Sequence, residues 1–386
     1  MNRFQNKLSI GEFCKVSAGG TPNTSIRNYW EGGQIPWMSS GEIHKKRVRY
    51  TDKFITNEGL VNSSAKIFPK NTVLIALAGQ GKTRGAIAIS EIELSTNQSV
   101  SGIISNPSIC LPDFLYYNLS NRYQELRSES GGSGRAGLNL SIISNLKINL
   151  PPLPEQKQII DILNSFDKVL NNYREKEKVY KNLIKSIIDE LTYGRNSKFY
   201  EIKKIGEIVE NLRNKTNSNL PIYSVSIHSG MVPRNQLDRS IISELKNEAY
   251  LYAAKGDLCY NMMRMWQGAS GIAPKDCLVS PAYVVCRPLQ IILSEYLGLL
   301  CQSSYCINQF KRSSRGLTSD RWRLYFDDFS KIEVPIPPID KQREIISIVS
   351  NQKYLLKKFQ EQYQLIKHLK SSVMDDLLSG RKRVNV

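Results

Sequence analysis

The stretch LPPLPEQKQIIDIL, Leu150 to Leu163, is answered by IPPIDKQREIISIV, Ile336 to Val349, at a constant shift of 186 residues. The same shift joins LTYGR, ending in Gly194 and Arg195, to LLSGR, ending in Gly380 and Arg381. One offset held over about 45 residues excludes insertions, which a loop tolerates and a packed helix resists. Both copies read as helices. Pro154 suits a first helical turn, Asp340 suits an N-cap at the matching place, and Gly194 and Gly380 are stop signals.

Between these ends runs a heptad. Its a-type places are Ile159, Phe166, Tyr173, Tyr180 and Ile187 in the first copy and Ile345, Gln352, Phe359, Ile366 and Val373 in the second. The d-type places include Ile162, Val169 and Leu183, then Ile348, Leu355 and Leu369. Leu163, Leu170, Ile184 and Leu191, with Val349, Leu356, Tyr363 and Leu377, widen the apolar seam. At about 1.5 Å per residue each helix is a rod of about 57 Å, too long to bury inside one small domain. A coiled coil that merely holds two domains together would satisfy this pattern equally.

Ahead of each helix lies a block with another texture. Short apolar runs (TVLIALA, GAIAIS, LKINLP; DLCYNM, AYVVC, KIEVPI) alternate with Gly, Pro, Asn and Ser clusters, as in a mixed sheet with loops. The blocks also echo each other. IGEF at Ile10 matches IGEI at Ile205, PKNTVLI at Pro69 matches AKGDLCY at Ala254, and Gly85 stands 186 before Gly271. The order is block, helix, block, helix, which suggests two modules doing one job on two targets.

Composition narrows the partner. Lys and Arg number 53 against 35 Asp and Glu, a net charge of +18 in 386 residues, which suits a polyanion such as nucleic acid. No apolar run reaches the roughly 18 to 20 residues of a membrane span, and the N-terminus lacks a secretion signal, so a cytoplasmic location is expected. Seven scattered cysteines without a C-x-x-C, and three separated histidines (His44, His228, His368), argue against disulfides and against a metal site.

ALAGQGKTRG, Ala76 to Gly85, ends like a phosphate-binding P-loop, but Ala76 occupies the first glycine place of that motif. In the second block Gly268-Ala269-Ser270 of MWQGASGIAPK is set against Gly81-Lys82-Thr83 of GQGKTRGAIAI, with Ala269 and Ser270 for the lysine and threonine. A nucleotide site common to both modules is thereby excluded. The stretch reads instead as a glycine-rich loop between strands that offers Lys82, Thr83 and Arg84 to a phosphate backbone.

With these residues laid out, the whole chain resembles the specificity subunit of a type I restriction–modification enzyme. The resemblance is carried by PPLPEQ and PPIDKQ at matched places and by AAKGDLCYNMMRMWQGASGIAPKDCLVSPAYVV from Ala253. IPWMSSGEI from Ile35 and IYSVSIHSGMVPR from Ile222 are similar to stretches of target-recognition domains. It implies an α+β chain: two mixed α/β target-recognition domains, separated and followed by two long helices packed as an antiparallel coiled coil, with an internal pseudo-two-fold repeat. The segments expected are 1–150 and 196–336 for recognition, and 151–195 and 337–386 for the helical spacers.

The resemblance further implies a non-catalytic subunit that binds a bipartite double-stranded DNA target, one half-site per domain, with the coiled coil setting the spacing. It would direct N6-adenine methylation by two methyltransferase subunits carrying S-adenosylmethionine, and the larger complex adds restriction subunits that use ATP and Mg. No cofactor is expected on this chain, which lacks an N-P-P-Y-type methyltransferase motif and a nuclease-like acidic cluster. The competing reading is an architectural nucleic-acid-binding protein without a methyltransferase partner, recognised by strong salt dependence and little sequence preference.

Candidate DNA contacts in the first block are Ser39, Ser40, the basic run His44, Lys45, Lys46, Arg47 and Arg49, the loop residues Lys82, Thr83 and Arg84, and Arg135 in GGSGRAG. In the second they are Arg234, Asn235, Arg264, Gln267, Arg312, Arg315, Arg321 and Arg323. Arginine suits guanine edges and phosphates, and glutamine suits adenine edges. HKKRVRY reads equally as a solvated face, and Met262, Met263, Met265 and Trp266 equally as core filling.

Overall fold

The computed structural model describes residues 7–79, 81–128, 137–194, 198–216, 218–227, 229–236, 249–318 and 321–384. The chain divides into two compact units, one made of residues 1–173 with 362–386, the other of 174–361. Each long helix therefore contributes one half to each unit.

The first unit contains strands β1 (Lys7–Ser9), β2 (Cys14–Ala18), β3 (Ile35–Met38), β4 (Arg47–Val48), β5 (Lys53–Ile55) and β6 (Ile67–Phe68). Strands β7 (Val73–Ala76), β8 (Ile87–Ser90), β9 (Leu94–Thr96), β10 (Val100–Ser105) and β11 (Lys147–Asn149) follow. Its short helices are α1 (Ile10–Phe13), α2 (Asn57–Val61), α3 (Pro112–Asn121), α4 (Tyr123–Ser128) and α5 (Leu140–Asn145), after which α6 (Leu153–Tyr193) begins. The main sheet has the order β2-β10-β7-β8-β4, a second has β5-β3-β9-β6, and β1 pairs with β11. Ile75, Ile89 and Ile103 from the main sheet pack on Phe114, Leu115 and Tyr117 of α3 and on Ile159 and Leu163 of α6.

The second unit contains β12 (Glu201–Lys204), β13 (Val209–Leu212), β14 (Tyr223–Ser226), β15 (Gly230–Pro233) and β16 (Leu251–Ala253). It continues with β17 (Leu258–Asn261), β18 (Ser270–Ile272), β19 (Cys277–Val279), β20 (Tyr283–Pro288) and β21 (Glu333–Ile336). Helices α7 (Ser294–Leu300), α8 (Ser304–Ser313) and α9 (Phe326–Phe329) precede α10 (Ile339–Ser379). The sheet β13-β20-β17-β18 repeats β2-β10-β7-β8, and the pair β12-β21 repeats β1-β11. Every one of these pairings is antiparallel in both units.

The short IGE motif has a physical reason in both units. The Glu12 carboxylate accepts from the Ser9 amide, and Glu207 accepts from the Lys204 amide. Added β-carbons at Gly11 and Gly206 would stand 3.2 and 3.0 Å from the β-carbons of Ser144 and Ser330, so the turn packs closely on the segment before β11 or β21.

Strand register corrects one sequence alignment. Ile75 faces Ile87 across β7 and β8, as Tyr260 faces Ser270 across β17 and β18. The second hairpin loop is therefore two residues shorter, and Gly85 (φ +78°) corresponds to Gly268 (φ +84°) rather than to Gly271, which lies within β18. Ser270 is a strand residue, not the counterpart of Thr83.

The helices pack as an antiparallel coiled coil, with a different register from the one expected. Ile159, Leu163, Leu170, Ile184, Ile345, Val349 and Leu377 are buried, whereas Val169, Leu183, Leu355 and Leu369 are 41, 48, 52 and 53% exposed. The seam thus joins the expected a places to the positions four residues on. A 4-3 alternation is the same heptad relabelled, with the expected a places serving as d. Within the first unit the Tyr173 and Tyr363 rings lie 6.5 Å apart, and the Lys370 ammonium meets Asp167. Within the second, the Tyr180 hydroxyl donates to Gln352 and the Gln360 amide to Glu177. Asp340 lies inside the first turn of α10 rather than at its N-cap, because the helix starts at Ile339, just after the double proline. The expected stops hold: α6 ends at Tyr193 and α10 at Ser379, with Gly380 at φ +75°.

Candidate nucleic-acid interface

A P-loop joins a strand to a helix. Here Gly79 to Gly85 caps a hairpin, β7 to β8, so Lys82 has no helix N-terminus behind it. Gly79, Gly81 and Gly85 all take positive φ (+139°, +62°, +78°), which lets the chain turn tightly. The Lys82 side chain is exposed and has no side-chain partner among the described residues; Thr83 and Arg84 are half-buried. The corresponding tip in the second unit, Met262 to Ala269, carries Arg264 and Gln267, both exposed and without a side-chain partner among the described residues.

The basic run preceding and entering β4 behaves differently. Lys45 donates to Glu42 (2.7 Å) and Asp52 (2.8 Å), Arg47 to Asp113 (2.6 Å), and Arg49 to Glu91 (2.5 Å). Burial alone would raise the Glu42 pKa, but Lys45 and the amides of Ser39 and Asp52 outweigh it and hold that carboxyl below its usual range. Arg47 also bonds Asn164 of α6, while the Tyr117 hydroxyl spans Asn164 and Asp167. These three charges are matched within the unit, and Arg47 braces β4 against α3 and α6. Ser39 starts the 3-10 turn Ser40–Lys45 with its amide on Glu42, and the exposed His44 ring nitrogen lies 2.6 Å from the Gly41 carbonyl oxygen. Lys46 is exposed at φ +61°, Ser40 is half-buried in the same turn, and Arg135 lies outside the described residues.

In the second unit the structure gathers residues that are distant in sequence. Trp266 meets Trp322 edge to face at 5.3 Å, and the Lys311 ammonium stands 5.9 Å over the Trp322 ring. Arg315 and Arg323 exchange backbone hydrogen bonds, and the Arg315 guanidinium reaches Asp328 (2.5 Å). Arg312, Arg321 and Arg323 are exposed and without side-chain partners among the described residues. Met265 is core, Met262 is half-buried and Met263 is 44% exposed, so the methionine run divides between the two readings. Arg234 donates to the Tyr250 hydroxyl (2.8 Å), and Asn235 is exposed in the next turn. The exposed Arg264, Arg312, Arg321 and Arg323, the glutamine and the tryptophan pair offer phosphate contacts, base-edge hydrogen bonds and stacking surface.

Sequence reasoning missed Tyr123 and Arg127, which touch the first tip from α4, and Trp322, which touches the second. The signal available for Trp322 was its place in Arg321-Trp322-Arg323; Tyr123 and Arg127 had none, since about forty residues separate them from the loop.

Among the described residues, no cluster of three or more metal-ligating side chains occurs, and no helix is long and apolar enough to cross a membrane. All seven cysteines are free, and burial pushes thiols such as Cys277 and Cys306 up to about 11.

Residues 5–181 and 194–368 match the family model described as the type I restriction modification DNA specificity domain. The chain is 24% identical to the type I restriction enzyme MjaIX specificity subunit of Methanocaldococcus jannaschii, over 97% of this chain and 93% of that protein. In fold it is similar to a chain from a structure of type I R-M complex assembly and conformational transition, with a TM-score of 0.65 at 16% identity, covering 98% of both chains. It is also similar to the S subunit of the type I restriction–modification system from M. genitalium, with a TM-score of 0.52 at 15% identity, covering 97% of this chain and 96% of that one.

Proposed function

The chain belongs to the type I restriction–modification DNA specificity family, and from that premise we propose that its two units each read one half of a bipartite DNA target through the β7–β8 and β17–β18 hairpin tips. As a member of that family it is a sequence-recognition subunit and not a catalyst, and it works with other subunits of a restriction–modification system. The single observation that carries the two-tip reading is a repeated scaffold with divergent ends. The same four antiparallel strands present Lys82, Thr83 and Arg84 in one unit and Arg264 and Gln267 in the other. A non-specific architectural protein has no need of two different tips on one repeated sheet.

In this reading residues 1–150 and 196–336 hold the readers, and the helical segments 151–195 and 337–386 set their separation. A 41-residue helix is about 61 Å long, enough to span more than one DNA turn of roughly 34 to 36 Å. The repeated helix openings supply two equivalent docking places for two methyltransferase subunits. Those partners would bring S-adenosylmethionine and methylate adenine at N6, and restriction subunits would bring ATP and Mg, in the cytoplasm. On this chain, Lys82, Arg264 and Gln267 lead the contacts, with Arg312, Arg321 and Arg323 on phosphates.

The test is to co-express the chain with its neighbouring methyltransferase in a methylation-free host and sequence the DNA for modified bases. A bipartite motif with N6-methyladenine in each half supports the reading. Copurification without modification, or no complex, defeats it.

A further inference from the structure

The first hairpin tip is held from outside itself. The Tyr123 hydroxyl donates to the Lys82 carbonyl oxygen (2.8 Å), and the Arg127 guanidinium donates to the Gly81 carbonyl oxygen and to the Tyr123 hydroxyl. The same guanidinium stands 5.5 Å over the Tyr123 ring. Gly85 closes the loop against this helix, since an added β-carbon would sit 3.3 Å from Arg127 Cγ and 3.5 Å from Leu126 Cβ. Within the loop itself, turn bonds run from the Gly85 amide to the Ala76 carbonyl oxygen and from the Ala86 amide to that of Thr83. The two carbonyls that flank the Lys82 peptide group are thus both fixed by α4, while its ammonium is left for solvent or a ligand.

The second unit does the same with other chemistry. Gly268 leaves 3.2 Å between an added β-carbon and Ile307 of α8, Trp266 leans on Trp322, and the Leu324 amide donates to the Met262 carbonyl oxygen. Both tips are braced, by unlike residues, at like places.

We propose that Tyr123 and Arg127 are positioning residues that set the backbone from which Lys82 and Thr83 meet DNA, so that part of one half-site's specificity is written in α4 and not in the loop. This rests on the reading of the hairpin tips as DNA contacts. A glycine-rich loop left to itself populates many conformations, and each would present the same side chains to different base edges. Fixing two carbonyls selects one of them. It follows that transplanting residues 77–86 alone would not transfer a half-site preference, whereas transplanting them with residues 122–128 would.

The experiment uses the full chain co-expressed with its methyltransferase partner, reading the tolerance for each base in both halves of the methylated sequence. Tyr123→Phe keeps the ring and loses two hydrogen bonds, the one donated to the Lys82 carbonyl oxygen and the one accepted from Arg127; Arg127→Gln loses the charge and shortens the reach; Arg127→Lys keeps the charge on a single donor nitrogen. We expect discrimination to fall roughly threefold for Tyr123→Phe and roughly tenfold for Arg127→Gln, in one half only, with Arg127→Lys between them and melting unchanged for Tyr123→Phe. Lys82→Ala serves as the reference. If Lys82→Ala relaxes one half and the α4 variants relax neither, the bracing role is overturned while the tip reading stands. If Lys82→Ala also changes nothing, the tip reading itself fails and takes this inference with it. Equal loss in both halves for the α4 variants would mark a general structural effect and overturn the positioning assignment.

Discussion

Gln156 and Gln342, 186 residues apart, make the same three hydrogen bonds. Gln156 accepts from the Leu111 amide (2.8 Å) and donates to the carbonyl oxygens of Ile109 and Pro151 (both 2.9 Å). Gln342 accepts from the Leu293 amide (2.8 Å) and donates to those of Ile291 (3.0 Å) and Pro337 (2.9 Å). Both side chains are fully buried. This is why the two helix openings share P-P-x-x-x-Q: the glutamine ties the first turn of each long helix to the loop before α3 or α7. Removing it takes the partner from three backbone groups. Gln156→Ala and Gln342→Ala should each cost about 3 kcal/mol in denaturant unfolding, and the double variant should show near-additive loss because the pairs share no partner.

The seam register predicts a contrast along the coiled coil. Leu170→Ala and Ile184→Ala remove buried side chains and should destabilise by about 2 to 4 kcal/mol. Val169→Lys and Leu183→Lys, one position before each, should stay within about 0.5 kcal/mol because these side chains already face solvent. Thermal melts of the four variants decide between this register and the one read from the sequence; equal losses in both pairs would restore the latter.

How much of this was legible follows from where the information sits. The repeat, the long helices and the strands around VLIA and LCYN were readable because periodicity and punctuation are local. The heptad was found but its phase was not: Leu and Val stand at solvent-facing places such as 169, 183, 355 and 369, and an apolar residue does not say which side of a seam it occupies. The matching of the basic run His44 to Tyr50 was half legible: Glu42 and Asp52, which hold Lys45, are neighbours in sequence, but Asp113 and Glu91, which hold Arg47 and Arg49, come from other parts of the chain. The braces on the two tips are tertiary for the same reason.

The buried carboxylate Glu42 makes stability depend on pH in a stated direction. Its folded pKa lies below the ordinary value of 4.5, so its contribution is present above that value and is lost as pH falls through the folded pKa. Glu42→Gln should therefore reduce stability most near neutrality, with the gap to the unaltered chain closing as pH falls below the ordinary value of 4.5 and through the folded pKa. Unfolding midpoints measured from pH 7 down to pH 3 test this. A gap that stays constant across the range would mean that the Lys45 and amide contacts do not stabilise the charged form.

Lys82 and Arg49 separate an exposed charge on a hairpin tip from one matched inside the fold. Lys82 is exposed on a hairpin tip with no side-chain partner among the described residues, while Arg49 is exposed but lies 2.5 Å from Glu91. A phosphate contact releases counterions, so its removal lowers affinity and flattens the salt dependence together. Lys82→Ala should weaken binding to a target duplex and reduce the slope of log affinity against log salt by about 1. Arg49→Ala should leave that slope nearly unchanged, because the positive charge removed is matched by Glu91 before DNA arrives. The same pair tests the P-loop resemblance. A nucleotide cradle would show saturable ATP binding that Lys82→Ala abolishes, whereas a hairpin tip without a helix behind it should bind no ATP in either form. Fluorescence titrations of the complex at several salt concentrations, with ATP in a parallel series, measure both; a slope altered by Arg49→Ala and not by Lys82→Ala would move the DNA contact from the hairpin tip back to the basic run.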